Sequence, residues 1–164
     1  MKKETRLYNV IIPVWMLFIF PVAWVGVIFG NFIIDGLVLI IILSAMKTPQ
    51  KIQIWKKSIL KIYLFGLLSD AIGTALMFFV TMTPAFESDI TQDIMLNPFG
   101  NIFSLLIVLV IMAISSVCIY LFDSRFSFRK TDLETAQQRK ISLLFAIITC
   151  PWLFLLPTEW FYGY

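Results

Sequence analysis

Two aspartates stand where a chain rarely keeps a charge. Asp35 lies in NFIIDGLVLIIIL (31–43) and Asp70 in LFGLLSDAIGTALMFF (64–79), and both stretches are otherwise almost wholly apolar. Carboxyls in such a setting do one of three things. They coordinate a cation or relay a proton, they share a proton as a pair and activate water, or they hydrogen-bond a neighbour. Asn31 stands four residues before Asp35, one helical turn away, and Ser69 adjoins Asp70. Gly66, Asp70, Gly73 and Thr74 fall on one helical face. Asn31, Asp35, Asp70, Thr74 and Ser69 are therefore the candidate substrate- or ion-binding residues. No lysine or arginine lies deep in either segment, which favours proton or cation handling over a static ion pair. No catalytic residue and no cofactor is assigned, and the metal question stays open. The chain has no histidine, so Ser-His and Cys-His catalysis and histidine metal sites are excluded. No CxxC pair, glycine-rich phosphate loop or GxSxG elbow occurs.

The elements that must position these acids are membrane spans. The chain has 164 residues, 60% of them hydrophobic and 14% charged. A soluble domain is nearer half apolar and a quarter charged, and here the excess is gathered into long runs. The sequence predicts an all-α integral membrane bundle of five spans in one domain, at about 8–29, 32–46, 58–81, 100–122 and 141–157. The charged start MKKETR reads as a signal anchor. The first two spans share one apolar run and are expected to meet in a turn at Gly30-Asn31. Counting from the inner boundary, Asp35 and Asp70 are each twelve residues deep, roughly 18 Å.

All thirteen basic residues fall in three clusters. They are Lys2, Lys3 and Arg6; Lys47 to Lys61; and Arg125 to Lys140. Five spans put all three on one face, and the positive-inside rule makes that face cytoplasmic, with the N-terminus inside and the C-terminus outside. Tyr8, Trp55, Tyr63 and Tyr120 are expected at the inner boundary, and Trp160, Phe161, Tyr162 and Tyr164 at the outer one. Cys118 and Cys150 read as small buried side chains. A helix-4 stripe of Asn101, Ser104, Ser115 and Cys118, with Ser142 and Thr149 on helix 5, should face protein. Pro13, Pro21 and Pro151 free backbone carbonyls. TDLETAQQRK (131–140) reads as a short loop helix capped by Thr131 with Glu134 three on.

Three resemblances follow from quoted motifs. FGNFIIDGLVL (29–39) with LFDSRFSFRK (121–130) resembles GtrA-like proteins, which are associated with moving polyprenyl-linked sugars. Asn31, Asp35, Arg125 and Phe128 match that pattern by type. Asp123 stands where it has Asn, Phe126 where it has Trp, and the order of spans departs. GNFIID (30–35) and SDAIG (69–73) look similar to the two acid motifs of lipoprotein signal peptidase, with one extra residue before the first acid and no Asn before the second. NFIIDGLVL, FSFRK and PWLFLLPTEWFY together resemble a family of small bacterial multi-spanning membrane proteins, which implies no activity.

The leading expectation is a transport-type or lipid-intermediate-handling protein of the bacterial inner membrane, with Asp35 and Asp70 at its polar centre. The alternative is a non-catalytic accessory, immunity or assembly component, and the third reading is an intramembrane aspartyl hydrolase. The expected partners are the lipid bilayer and a second copy or partner membrane subunit. Nucleic acid is not among them.

Overall fold

The computed structural model describes residues 21–84, 86 and 88–162, and all of its elements are helical. Helix α1 spans Pro21–Ala45, α2 Lys51–Met82, α3 Ser88–Leu96 and α4 Ile102–Phe122, which runs on into a π-helical turn, Asp123–Ser127. Helix α5 is Thr135–Ile148, followed by a 3-10 turn at Trp152–Leu155 and a last short helix, α6, Glu159–Tyr162. Among the described residues four helical stretches are long and apolar enough to cross a membrane: Ile28–Ala45, Lys51–Met82, Ile102–Ser127 and Thr135–Leu155.

The expected turn at Gly30-Asn31 is absent. One unbroken helix runs through both residues. A glycine costs a helix about 1 kcal/mol but does not end it. An asparagine opens a turn when its side chain bonds its own backbone, and Asn31 instead sends its amide across to α2. The separate spans 8–29 and 32–46 thus become one helix from Pro21 onward, and the part of the first span before Pro21 lies outside the described residues. Helix α2 begins at Lys51, earlier than expected, so Lys56 and Lys57 stand exposed on its first turns.

The loop helix capped by Thr131 is also absent. Thr131 Oγ1 donates to Phe128 O at 2.6 Å, and the capping box is made one step later, by Glu134 and Gln137 at the head of α5. TAQQRK is the first part of a spanning helix. The residues between Thr83 and Asn101, which lie between two expected spans, contain α3.

The bundle wears its apolar side chains outward. Leu37, Phe79, Phe103, Val110 and Ile147 are exposed, while Asp35, Ser69, Ser115, Asp123 and Ser142 are buried. That is the inverse of a soluble core and suits hydrocarbon. Inside, the apolar contacts form two clusters. One joins Leu39, Ile42 and Leu43 to Ile59, Ile62, Ile119, Ile141 and Phe145 at the end that carries the α1–α2 and α4–α5 connections. The other joins Met77 to Ile94, Val108, Ile111, Met112 and Phe154 at the opposite end. Every Lys and Arg from 47 onward belongs to the first end; Asp89, Asp93 and Glu159 belong to the second.

Small residues set the helix spacing. A Cβ at Gly73 would collide with Ser115 Oγ and would stand 2.7 Å from the Phe154 ring. At Gly36 it would meet the Trp55 indole at 3.4 Å, and Trp55 Nε1 donates to Gly36 O at 3.0 Å. Trp55, expected at the inner boundary, is thus also a packing element between α1 and α2. Tyr63 is likewise buried, edge-on to Phe32 at 5.4 Å. Trp160 is exposed. Overpacking such a contact costs about 1–3 kcal/mol. Gly73→Val should therefore lower thermal stability in detergent by that order, and Ser115→Gly in the same chain should recover part of it.

Candidate functional site

The site is built from an antiparallel register between α1 and α2. Asn31 Nδ2 donates to Asp70 Oδ2 at 3.3 Å. One turn further along α1, Asp35 Oδ2 lies over Gly66, 3.4 Å from where a Cβ would be. Gly66 is itself one turn before Asp70, so the pairs 31/70 and 35/66 are consecutive rungs of one ladder. The two acids therefore belong to one site but not to one level. Asp70 is level with Asn31, and Asp35 stands one turn, roughly 5–6 Å, closer to the basic end. The equal-depth estimate was off because it started α2 at Ser58, whereas the helix starts at Lys51.

Asn31, Asp35, Gly66 and Asp70 all line a cavity of about 570 Å³. Its other walls are Gly26, Gly30 and Ile34 of α1, Ile119 of α4, and the stretch from Ile148 to Phe154. That last wall exists because Pro151 ends α5. The α-helix stops at Ile148, and the chain resumes as a 3-10 turn. Trp152 Nε1 donates to the freed Ile148 carbonyl at 3.3 Å, which holds the indole at the break. Asp35 is 7% exposed, and among the described residues no donor bonds its carboxyl. Among the described residues no Lys or Arg lines the cavity.

Two of the expected site residues stand elsewhere. Ser69 is fully buried and donates to Phe65 O of its own helix at 2.8 Å. Thr74 is buried with its Oγ1 unpartnered, and neither residue lines the cavity. Thr149 and Cys150 do line it, with Thr149 Oγ1 given to Phe145 O at 2.9 Å. Cys118 and Cys150 are both free and half-buried. Among the described residues no cluster of three or more acid, cysteine or histidine side chains is placed to hold a metal.

Sequence reasoning missed a third buried acid. Asp123 is fully buried at the π-helical turn, and its Oδ1 accepts from Ser127 Oγ at 2.7 Å while Oδ2 has no partner. The turn is clamped from several sides. Phe65 stacks on Phe122 at 5.4 Å, Lys61 Nζ donates to Phe126 O at 3.2 Å, and Arg129 covers the Phe126 ring. The signal was present: Ser115, Ile119 and Asp123 follow at four-residue steps along the inner face of α4. Of the residues matched by type to the GtrA-like pattern, Asn31 and Asp35 meet at the cavity, Arg125 is exposed and Phe128 is buried in the apolar cluster.

The four apolar helices point to a multi-pass membrane protein with a polar site inside the bundle. No family model, curated protein or solved structure matches the chain.

The ladder has a direct consequence. With Cys118 and Cys150 replaced, the cysteine pairs Asn31→Cys/Asp70→Cys and Asp35→Cys/Gly66→Cys should both be bridged by a short bifunctional thiol reagent in membranes. Ile33→Cys/Asp70→Cys should not be, since Ile33 is exposed on another face. Bridging of the third pair alone would overturn the register.

Proposed function

We propose that this chain is a bacterial inner-membrane protein of transport or lipid-intermediate-handling type. It receives a polar group at mid-depth on Asn31, Asp35 and Asp70. The observation that carries this reading is the cavity of about 570 Å³ that ends on both carboxyls. Volumes of roughly 300–1,000 Å³ with a few convergent polar groups are typical of ligand sites. A purely structural accessory component would have no use for such a space, and close packing around the acids would have favoured that reading instead. The four spanning helices among the described residues are few for a complete passage, so a second copy or a partner subunit completes the path.

In this reading the basic end faces the cytoplasm. Lys47, Lys51, Lys56 and Lys57 flank one connection, and Arg125, Arg129, Lys130, Arg139 and Lys140 flank another at the same end. Anionic inner-leaflet lipids reinforce that placement. The end with Asp89, Asp93 and Glu159 faces outward.

Two thiol-labelling experiments test the proposal in a chain freed of its native cysteines. Cysteines at 35 and 70 should react with a small positively charged methanethiosulfonate reagent far faster than cysteines at 69 or 74. Equal, slow labelling at all four positions would remove the water-accessible site and leave the accessory reading. In spheroplasts, an impermeant maleimide should label a cysteine at 159 and spare one at 51; the reverse pattern would invert the topology.

A further inference from the structure

The chemistry of the cavity wall selects among possible occupants. A phosphate-bearing head would sit beside two carboxyls, and among the described residues no basic side chain on the lining receives it. Like charges in contact repel each other more strongly inside a protein than in water. A bare inorganic ion fits poorly for a different reason. The space is many times the roughly 30 Å³ share of a water molecule, and among the described residues no three ligand-type side chains converge. Most of the wall is hydrocarbon: Ile34, Ile119, Ile148 and Leu153. Trp152 and Phe154 add aromatic rings, which attract cations over their faces. The interior thus offers two carboxyls at its base, apolar surface around them and aromatic rings along one side.

We propose that the cavity between α1, α2 and the broken end of α5 binds a hydrophobic organic monocation, an amine- or phosphonium-like molecule, with its charge against Asp35 and Asp70. This deepens the transport reading and rests on it. Asn31 holds Asp70 in place through its amide, and the Asp35 carboxyl, with no donor among the described residues, is free to meet the cation. Gly26 and Gly30 keep the α1 wall open, since a Cβ at either would meet nothing within 4 Å.

The test uses the full chain in detergent with tetraphenylphosphonium as probe and triphenylphosphine oxide as its neutral counterpart, followed by equilibrium dialysis. Saturable phosphonium binding is expected. The neutral oxide, Asp35→Asn and Asp70→Asn should each lower affinity by about tenfold or more, as loss of a low-dielectric charge pair predicts. Asp35→Glu should retain binding, and Gly30→Phe should abolish it by filling the space without touching either acid. This last variant keeps the proposal testable if an Asp variant fails to fold. Equal binding of the oxide, or wild-type binding by folded Asp35→Asn and Gly30→Phe, overturns the proposal. If cysteines at 35 and 70 label readily but no phosphonium binds, the cation class falls and the transport reading stands. If they do not label and no phosphonium binds, both fall.

Discussion

A carboxyl carried into a bundle surrounded by hydrocarbon must find its dipoles inside the bundle. At the centre of a spanning helix it costs on the order of 2.5–3.5 kcal/mol on insertion scales, and the rest of this interior is arranged around that cost. Asn31 supplies an amide to Asp70. Glycine at 66 lets the Asp35 carboxyl lie directly on the α2 backbone, where a larger side chain would push α1 away. Hydroxyls that do not serve the acids are consumed locally. Ser58, Ser69 and Thr149 each donate to the carbonyl four residues back, which removes them as partners and keeps their helices narrow.

The polar belt divides the apolar interior in two. On α2 the run from Gly66 to Thr74 separates Ile62 from Met77, and on α4 Ser115 separates Met112 from Ile119. Each apolar cluster holds one end of the bundle, and the middle is held by small-residue contacts and by the Asn31–Asp70 bond. This division explains why the cavity lies where it does. A belt that cannot be filled by hydrocarbon side chains without burying the acids dry is the natural place for space to remain. Asp123 extends the belt towards the basic end, where a π-helical turn adds the extra residue needed to bring its side chain inward.

The sequence made the class legible through bulk properties: run length, the absence of deep basic residues and the clustering of Lys and Arg. It also singled out Asn31, Asp35 and Asp70 as candidates, because helical spacing and small neighbours are local signals. What failed depended on contacts across helices. Gly30-Asn31 reads as a turn until Asn31 has a partner on α2. Trp55 reads as a lipid anchor until Gly36 gives it a flat surface. Ser69 looked like a ligand because it adjoins Asp70, yet a serine inside a helix can satisfy itself on its own backbone. Asp123 sits at the edge of an apolar run, where a span and a loop look alike. The π-helical turn that carries it inward has no pattern in the sequence beyond the Ser115–Ile119–Asp123 spacing.

The broken end of α5 links these layers. Pro151 cannot continue the helix, and the chain beyond it is free to turn across the bundle. Where it turns is fixed by Phe154, whose ring reaches into the space that Gly73 leaves open beside Ser115. The same turn gives the cavity a wall that is not α-helical. The shape of the polar site therefore depends on a packing contact one turn beyond Asp70, between residues that carry no charge. A site built this way can change its volume by moving one short segment, while the Asn31–Asp70 and Asp35–Gly66 rungs, set by two long helices, stay fixed.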